Sequence, residues 1–274
     1  MIHAIVAWLS DPAHWSGPSG IPQRVLEHLE YSAVTLVIAA LIAIPLGMYV
    51  GHAGRGRTAV SVANSLRAVP SLGLLFAIAL WVGPWIHGGL AFTLPSIIVL
   101  VLLAIPPILS GTYAGVGSVD PAARDAAVGM GMRGPQVLWR VELPIALPLL
   151  ISGLRSAALQ VIATATIAAA VGLGGLGRYL IDGLALQQYD TVASGAVVVA
   201  VLALVVDLLF AGVERLVVSP GLTGRADRGG GRRGRGSGTG GRAGGDRLRG
   251  TAGRRHGGRR CPLTTCAAPP HPTR

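Results

Sequence analysis

Three groups of residues in this chain have types and spacings that could do chemistry. Gly172, Gly174 and Gly177 satisfy GxGxxG, a turn that cradles a dinucleotide pyrophosphate when a strand precedes it and a helix follows. Cys261 and Cys266 are separated by four residues, and thiolates at short spacing can hold zinc. Arg67, Arg155 and Asp207 are charges set beside or within apolar runs, where an ionisable group marks a pathway or a partner. The first two groups lose their chemistry on inspection. The glycine run follows a long apolar helix, not a strand, so it reads as a flexible or re-entrant turn. The cysteines have no further Cys ligand and imply neither a zinc site nor a disulfide framework. All 23 basic side chains are arginine, and without lysine no P-loop of the form GxxxxGK[ST] exists. No residue is therefore assigned a catalytic, cofactor-binding or metal-binding role, and any ATP hydrolysis belongs to a separate polypeptide. Of the three charges, Arg67 and Arg155 lie toward one end of their helices, and snorkelling to the interface is preferred over a pathway role. Asp207 lies deeper and needs a partner that the sequence does not name.

The elements that position these residues are apolar helices. The chain is 51% hydrophobic and 13% charged, a balance that makes a bilayer its main solvent. A surface helix is expected from Pro22, with Trp8 and Trp15 at the membrane interface. Spans are expected at 31–50, 68–86, 92–112, 144–171 and 191–216. The first is about 30 Å long as a helix, matching a hydrocarbon core. Pro45, Pro70 and the Pro106-Pro107 pair offer bends. The small residues of 163–170 suit close helix approach in lipid. The sequence thus predicts an all-α integral membrane protein of about five transmembrane helices.

Residues 119–144 are polar enough to leave the membrane between two such spans. Asp120 is placed to cap a helix that Pro121 opens. Gly131 and Gly134 permit a reversal, and Pro135 is placed to start a second short helix. Pro144 and Pro148 sit where the chain re-enters the membrane. Such a helix–turn–helix is suited to docking in a groove on another protein.

Within it, Asp125-Ala126-Ala127, three residues, Gly131, nine residues, then Val141-Glu142-Leu143-Pro144 resembles the EAA loop of ATP-binding-cassette importer permeases. Asp replaces the family's Glu, Val replaces its Ile, and every spacing is kept. The stretches 170–190 and 64–72 are similar to permeases for glycine betaine, carnitine, choline and related osmoprotectants. The resemblance covers about 27–219. It implies a type I importer permease fold and alternating access, with Asp125, Ala126, Ala127, Gly131, Val141, Leu143 and Pro144 forming the ATPase-coupling loop. It also implies separate ATPase subunits, an extracytoplasmic substrate-binding protein, and a second permease copy or related permease about a two-fold axis. Methionine, phosphonate and sulfonate permeases share the loop motif and stand as alternatives. A non-ATP channel, a secondary transporter and a membrane tether for a basic tail are rival classes without use for a docking loop.

Charge sets the orientation. The net charge is +11, and residues 221–274 alone carry 13 Arg against 2 Asp. Placing the loops at 51–57 and 118–144 and this tail inside leaves only Arg24 and Arg178 outside, in accord with the positive-inside rule. The expectation is a multi-pass protein of the bacterial cell membrane, with an outside N-terminal segment (1–30), a permease domain (31–219) and a cytoplasmic tail (220–274). The tail is rich in Arg and Gly with few apolar residues, so disorder is expected. It has no aromatic side chain to stack on bases, so anionic membrane lipid is the expected partner and nucleic acid is not.

Overall fold

The computed structural model describes residues 2–54 and 56–217. The tail at 220–274, with Cys261 and Cys266, lies outside the described residues. Regular structure among the described residues is helical: α1 (Ile2–Ser10), α2 (Ile21–His52), α3 (Arg57–Ser65), α4 (Ser71–Val82), α5 (Leu90–Gly117), α6 (Pro121–Gly129), α7 (Gly134–Val137), α8 (Leu143–Ala168), α9 (Gly177–Ala185) and α10 (Tyr189–Val217). Among the described residues, four uninterrupted helical stretches are long and apolar enough to cross a membrane: Ile21–His52, Leu90–Gly117, Gly134–Val171 and Tyr189–Val217. A fifth crossing is made only if the bent pair Val60–Ala68 and Ser71–Trp85 counts as one span.

That pair carries the bend expected at Pro70 in the second span, 68–86, and makes it a sharp break. Its halves meet at 92°. Pro70 has no N–H to give and crowds the residue before it, so Val69 leaves the helical region for φ −72, ψ 129. By contrast, the surface helix expected from Pro22 and the span expected from residue 31 are one helix, α2. Its interior Pro45 does not end the helix. Trp8, expected at the interface, is instead only 8% exposed. It stacks on His14 and meets Tyr179 of α9 edge-on, with centroids 4.0 and 5.5 Å away. Trp15 stays exposed, and its Nε1 donates to the Leu9 carbonyl at 2.7 Å.

The core lies where α2, α5 and α8 pack together. Ala39, Ala43, Ala104, Ile108, Ala157 and Val161 form its centre. So many alanines reflect the physics of lipid: apolar tails offer no hydrophobic gain on helix association, so close backbone approach and dispersion must hold the bundle. The small far half of α8 serves as expected, with Ala165, Ala168 and Ala169 buried. Many other large aliphatics point outward: Leu41, Leu80, Leu209 and Leu216 are all exposed, an apolar exterior matched to acyl chains.

Candidate functional site

The loop between α5 and α8 is the hairpin that its residues dictate. Asp120 Oδ1 accepts the Ala122 N–H at 2.9 Å, which satisfies one free donor of α6. Gly131 takes φ +85, and a Cβ built there would meet nothing within 4 Å. Its requirement is therefore backbone conformation and not close packing. Met132 N–H then donates to the Ala127 carbonyl at 3.2 Å, closing the end of α6 as the chain reverses. Gln136 Oε1 accepts the Arg133 N–H at 2.8 Å and opens α7.

The second arm begins before the span start expected at Pro144. Helix runs without interruption from Gly134 to Val171, because Leu138–Glu142 widens into a π turn just before Pro144. A π turn is a common accommodation inside a helix, and here it precedes a residue that lacks the N–H of the regular ladder. The loop's second arm is thus a direct extension of the span α8.

Inside the hairpin sits Glu142, the unspecified position of the Val141-Glu142-Leu143-Pro144 segment, which is 0% exposed. Arg124 Nε lies 2.8 Å from its Oε1, and His52 Nδ1 lies 3.0 Å from its Oε2. Arg124 also donates from its terminal nitrogen to the Val116 carbonyl at 2.6 Å. One carboxylate therefore joins the end of α2, the end of α5, α6 and the base of α8. The sequence reading passed over Glu142, Arg124 and His52. The available signal was a carboxylate within the apolar approach to a span, which needs a cation.

The residues of the expected coupling set divide by orientation. Ala127 is buried at 2% exposure, and Val141 and Leu143 are half-buried, with Leu143 against the cluster of Met48, Val116 and Ala146. Asp125, Ala126, Gly131 and Pro144 are exposed. Beside them stand the exposed apolar side chains Val128, Met130 and Trp139.

Two further expectations are corrected by geometry. Arg155 does not snorkel: its Nε and a terminal nitrogen donate to Asp207 Oδ1 and Oδ2, each at 2.6 Å. The fork joins α8 to α10 and supplies the partner that Asp207 required; Glu214 lies 3.8 Å from the same guanidinium. The glycine turn at 172–177 is tied down, not loose. Gly175 N–H donates to Glu27 Oε2 at 2.9 Å, and Arg24 donates to the same oxygen at 3.0 Å. His28, 1% exposed, reaches the Ile162 carbonyl with Nε2 at 3.2 Å. Helix α8 leads into that turn.

Residues 43–219, the segment holding the hairpin and the spans around it, match the family model described as the binding-protein-dependent transport system inner membrane component. The chain belongs to this family. Its similarity to curated members is extensive. The glycine betaine/carnitine/choline transport system permease protein of Bacillus subtilis is 35% identical over 201 residues, 72% of this chain and 88% of that one. The choline transport system permease protein of the same organism is 33% identical over 202 residues, covering 73% and 89%. The osmoprotectant import permease protein of Salmonella typhimurium is 31% identical over 197 residues, covering 72% and 91%. Among solved structures, an inward-facing form of the MetNI methionine transporter aligns with TM-score 0.62 and 22% identity, over 77% of this chain and all of that one. That likeness places the chain in the type I ABC importer permease fold. As a member of the family, the protein is a multi-pass membrane transport component.

Proposed function

We propose that this chain is the permease subunit of an ATP-driven importer for quaternary ammonium osmolytes such as glycine betaine, choline or carnitine. An extracytoplasmic binding protein delivers the solute, and two ATPase chains dock on the loops of a permease pair. The observation that carries the reading is the similarity to osmoprotectant permeases over nearly their whole length, together with the intact spacing of the loop. The test is uptake: reconstituted with its cognate ATPase and binding protein, the complex is expected to concentrate one of these compounds when ATP is supplied. Accumulation of methionine or an oxyanion alone would replace the solute class and leave the importer reading standing.

In this reading the exposed side of the hairpin is the ATPase contact. Asp125, Ala126, Val128, Met130 and Trp139 present a mostly apolar face around one carboxylate, suited to a groove on a partner. Gly131 shapes it. Gly131→Val meets no neighbouring atom but must hold a β-branched residue at φ +85, a strain of about 1–3 kcal/mol that the turn relieves by changing shape. The expected result is normal insertion with reduced ATPase co-purification and little ATP-driven uptake. Asp125→Ala, which removes an exposed charge, is expected to have the milder effect, below about 1 kcal/mol on docking. Parental uptake by Gly131→Val would take the coupling role from this loop.

The proposed orientation puts the N-terminus outside and the hairpin and the C-terminal tail inside, on the arginine asymmetry of alternate loops. In a variant with Cys261 and Cys266 replaced by serine, single cysteines at Gly88 and Ala226 test it. An impermeant thiol reagent on intact cells is expected to label the Gly88→Cys protein and spare Ala226→Cys until the membrane is opened. The reverse pattern would invert the topology.

A further inference from the structure

The 92° bend between α3 and α4 has a polar setting. Backbone that leaves the helix within a membrane is tolerated where it is buried in protein or lines a water-filled cavity. Beside this bend lies an open concavity of about 460 Å³, a size suited to a small solute. Its polar lining is Asn64, Arg67, Ser110, Ser152 and Ser156, from α3, the turn at the bend, α5 and α8. Its wall is closed where α5 crosses α8 at Gly111 and Gly153. A Cβ on Gly111 would come within 2.8 Å of the Gly153 Cα, so the two backbones are in contact there.

The lining is one-sided in charge. No acidic residue is part of it. Arg67 is exposed and has no ion-pair or hydrogen-bond partner among the described residues, as is true of Arg140 and Arg215, whereas Arg24, Arg124, Arg155 and Arg178 are each paired. Ser110 donates to Asn64 Oδ1 at 3.2 Å, which leaves the Asn64 amide N–H groups free. Ser152 and Ser156 stand one helical turn apart and are exposed. A forked cation ringed by hydroxyl and amide donors, with no carboxylate nearby, is a receptor for a planar monoanion.

We propose that this concavity is a station for the solute within the permease, where Arg67 holds the carboxylate of a zwitterionic solute while Ser152 and Ser156 donate hydrogen bonds to it. The proposal rests on the importer reading above and deepens it: the preferred solutes carry a carboxylate, as glycine betaine and carnitine do. The solute's cationic end faces the remaining opening and meets no protein cation from this group.

The experiment compares wild type, Arg67→Lys and Arg67→Gln, each in proteoliposomes with its ATPase and binding protein. Labelled glycine betaine is the probe, and ATPase co-purification and solute-free ATP turnover are measured alongside. Arg67→Gln is expected to raise the KM for glycine betaine at least tenfold, with assembly and basal ATP turnover within twofold of wild type. Arg67→Lys, which keeps the charge and loses the fork, is expected to fall between. An unchanged KM in Arg67→Gln overturns the proposal. So does a loss of ATPase assembly, which would make Arg67 a structural contact. If wild type accumulates no quaternary ammonium compound, the osmolyte reading fails instead. The same comparison then runs with labelled methionine, and an unchanged KM for it would sink the arginine station independently.

Discussion

Glu142→Ala is expected to lower both the thermal stability and the ATP-driven uptake of this permease. The carboxylate is fully buried and meets Arg124 Nε at 2.8 Å and His52 Nδ1 at 3.0 Å. Removing one member of a buried ion pair leaves the other desolvated without compensation, a cost of about 3–5 kcal/mol. Arg124 and His52 are 28% and 40% exposed, so water recovers part of that loss and the lower end of the range applies. The consequence is local before it is global. Arg124 is on α6, His52 ends α2, and Glu142 is at the base of α8, so without the carboxylate the hairpin is no longer fixed to the bundle. Uptake is therefore expected to fall further than the amount of inserted protein, and ATPase co-purification to weaken. A double variant separates charge from packing: Arg124→Leu with Glu142→Leu removes both ions together and is expected to regain most of the thermal stability. Melting and uptake equal to the parent in Glu142→Ala would show that the ion cluster has no part in holding the loop.

Much of this was legible in the sequence because membranes simplify the reading. Apolar runs of sufficient length must be helices, since no other open element satisfies its backbone in lipid. The hairpin was legible for a different reason: Asp120, Pro121 and Gly131 act locally, through a cap, a fixed φ and a permissive φ, and each was found in the expected role. Pro70 also acts locally, yet only the size of its effect, a right-angled break and not a slight bend, came from the structure. Pro144 marks the expected start of a span, yet the helix already runs from Gly134, because the π turn before it absorbs its missing donor. Relations across the fold were the illegible part. Arg155 and Asp207 are 52 residues apart, and Glu142 and His52 are 90 apart. Nothing in local pattern selects one partner among several arginines. The tight seat of the 172–177 turn was hidden for the same reason, because glycine runs look alike whether loose or packed, and Glu27 lies 148 residues from Gly175.

The fork between Arg155 and Asp207 carries the other large expected effect. Both N–H···O contacts are 2.6 Å, and the pair bridges α8 to α10, a helix with few buried residues of its own, among them Ser194, Gly195 and Leu202. Where apolar packing is thin, one charge-assisted fork supplies a large share of what holds the helix in register. Neutralising either side leaves a lone ion in or near the hydrocarbon region, which is costly wherever water cannot reach it. Asp207→Leu and Arg155→Leu are each expected to reduce the membrane level of the protein severalfold through failed insertion or proteolysis. Asp207→Leu is the milder, because Glu214 at 3.8 Å remains near the arginine. The decisive variant carries both changes. The double substitution leaves only Glu214 without its arginine, and that carboxylate is 35% exposed, so membrane levels are expected to return toward the parent, since two leucines on facing helices pack in lipid without a desolvation penalty. Quantitative immunoblots of washed membranes, with detergent melting curves on the purified proteins, read the outcome. If the double variant is depleted as severely as the two single losses multiplied together, the residues act independently and the fork is not what joins α10 to α8. If the double variant recovers its level yet loses uptake, the pair has a role in transport beyond holding the helices together.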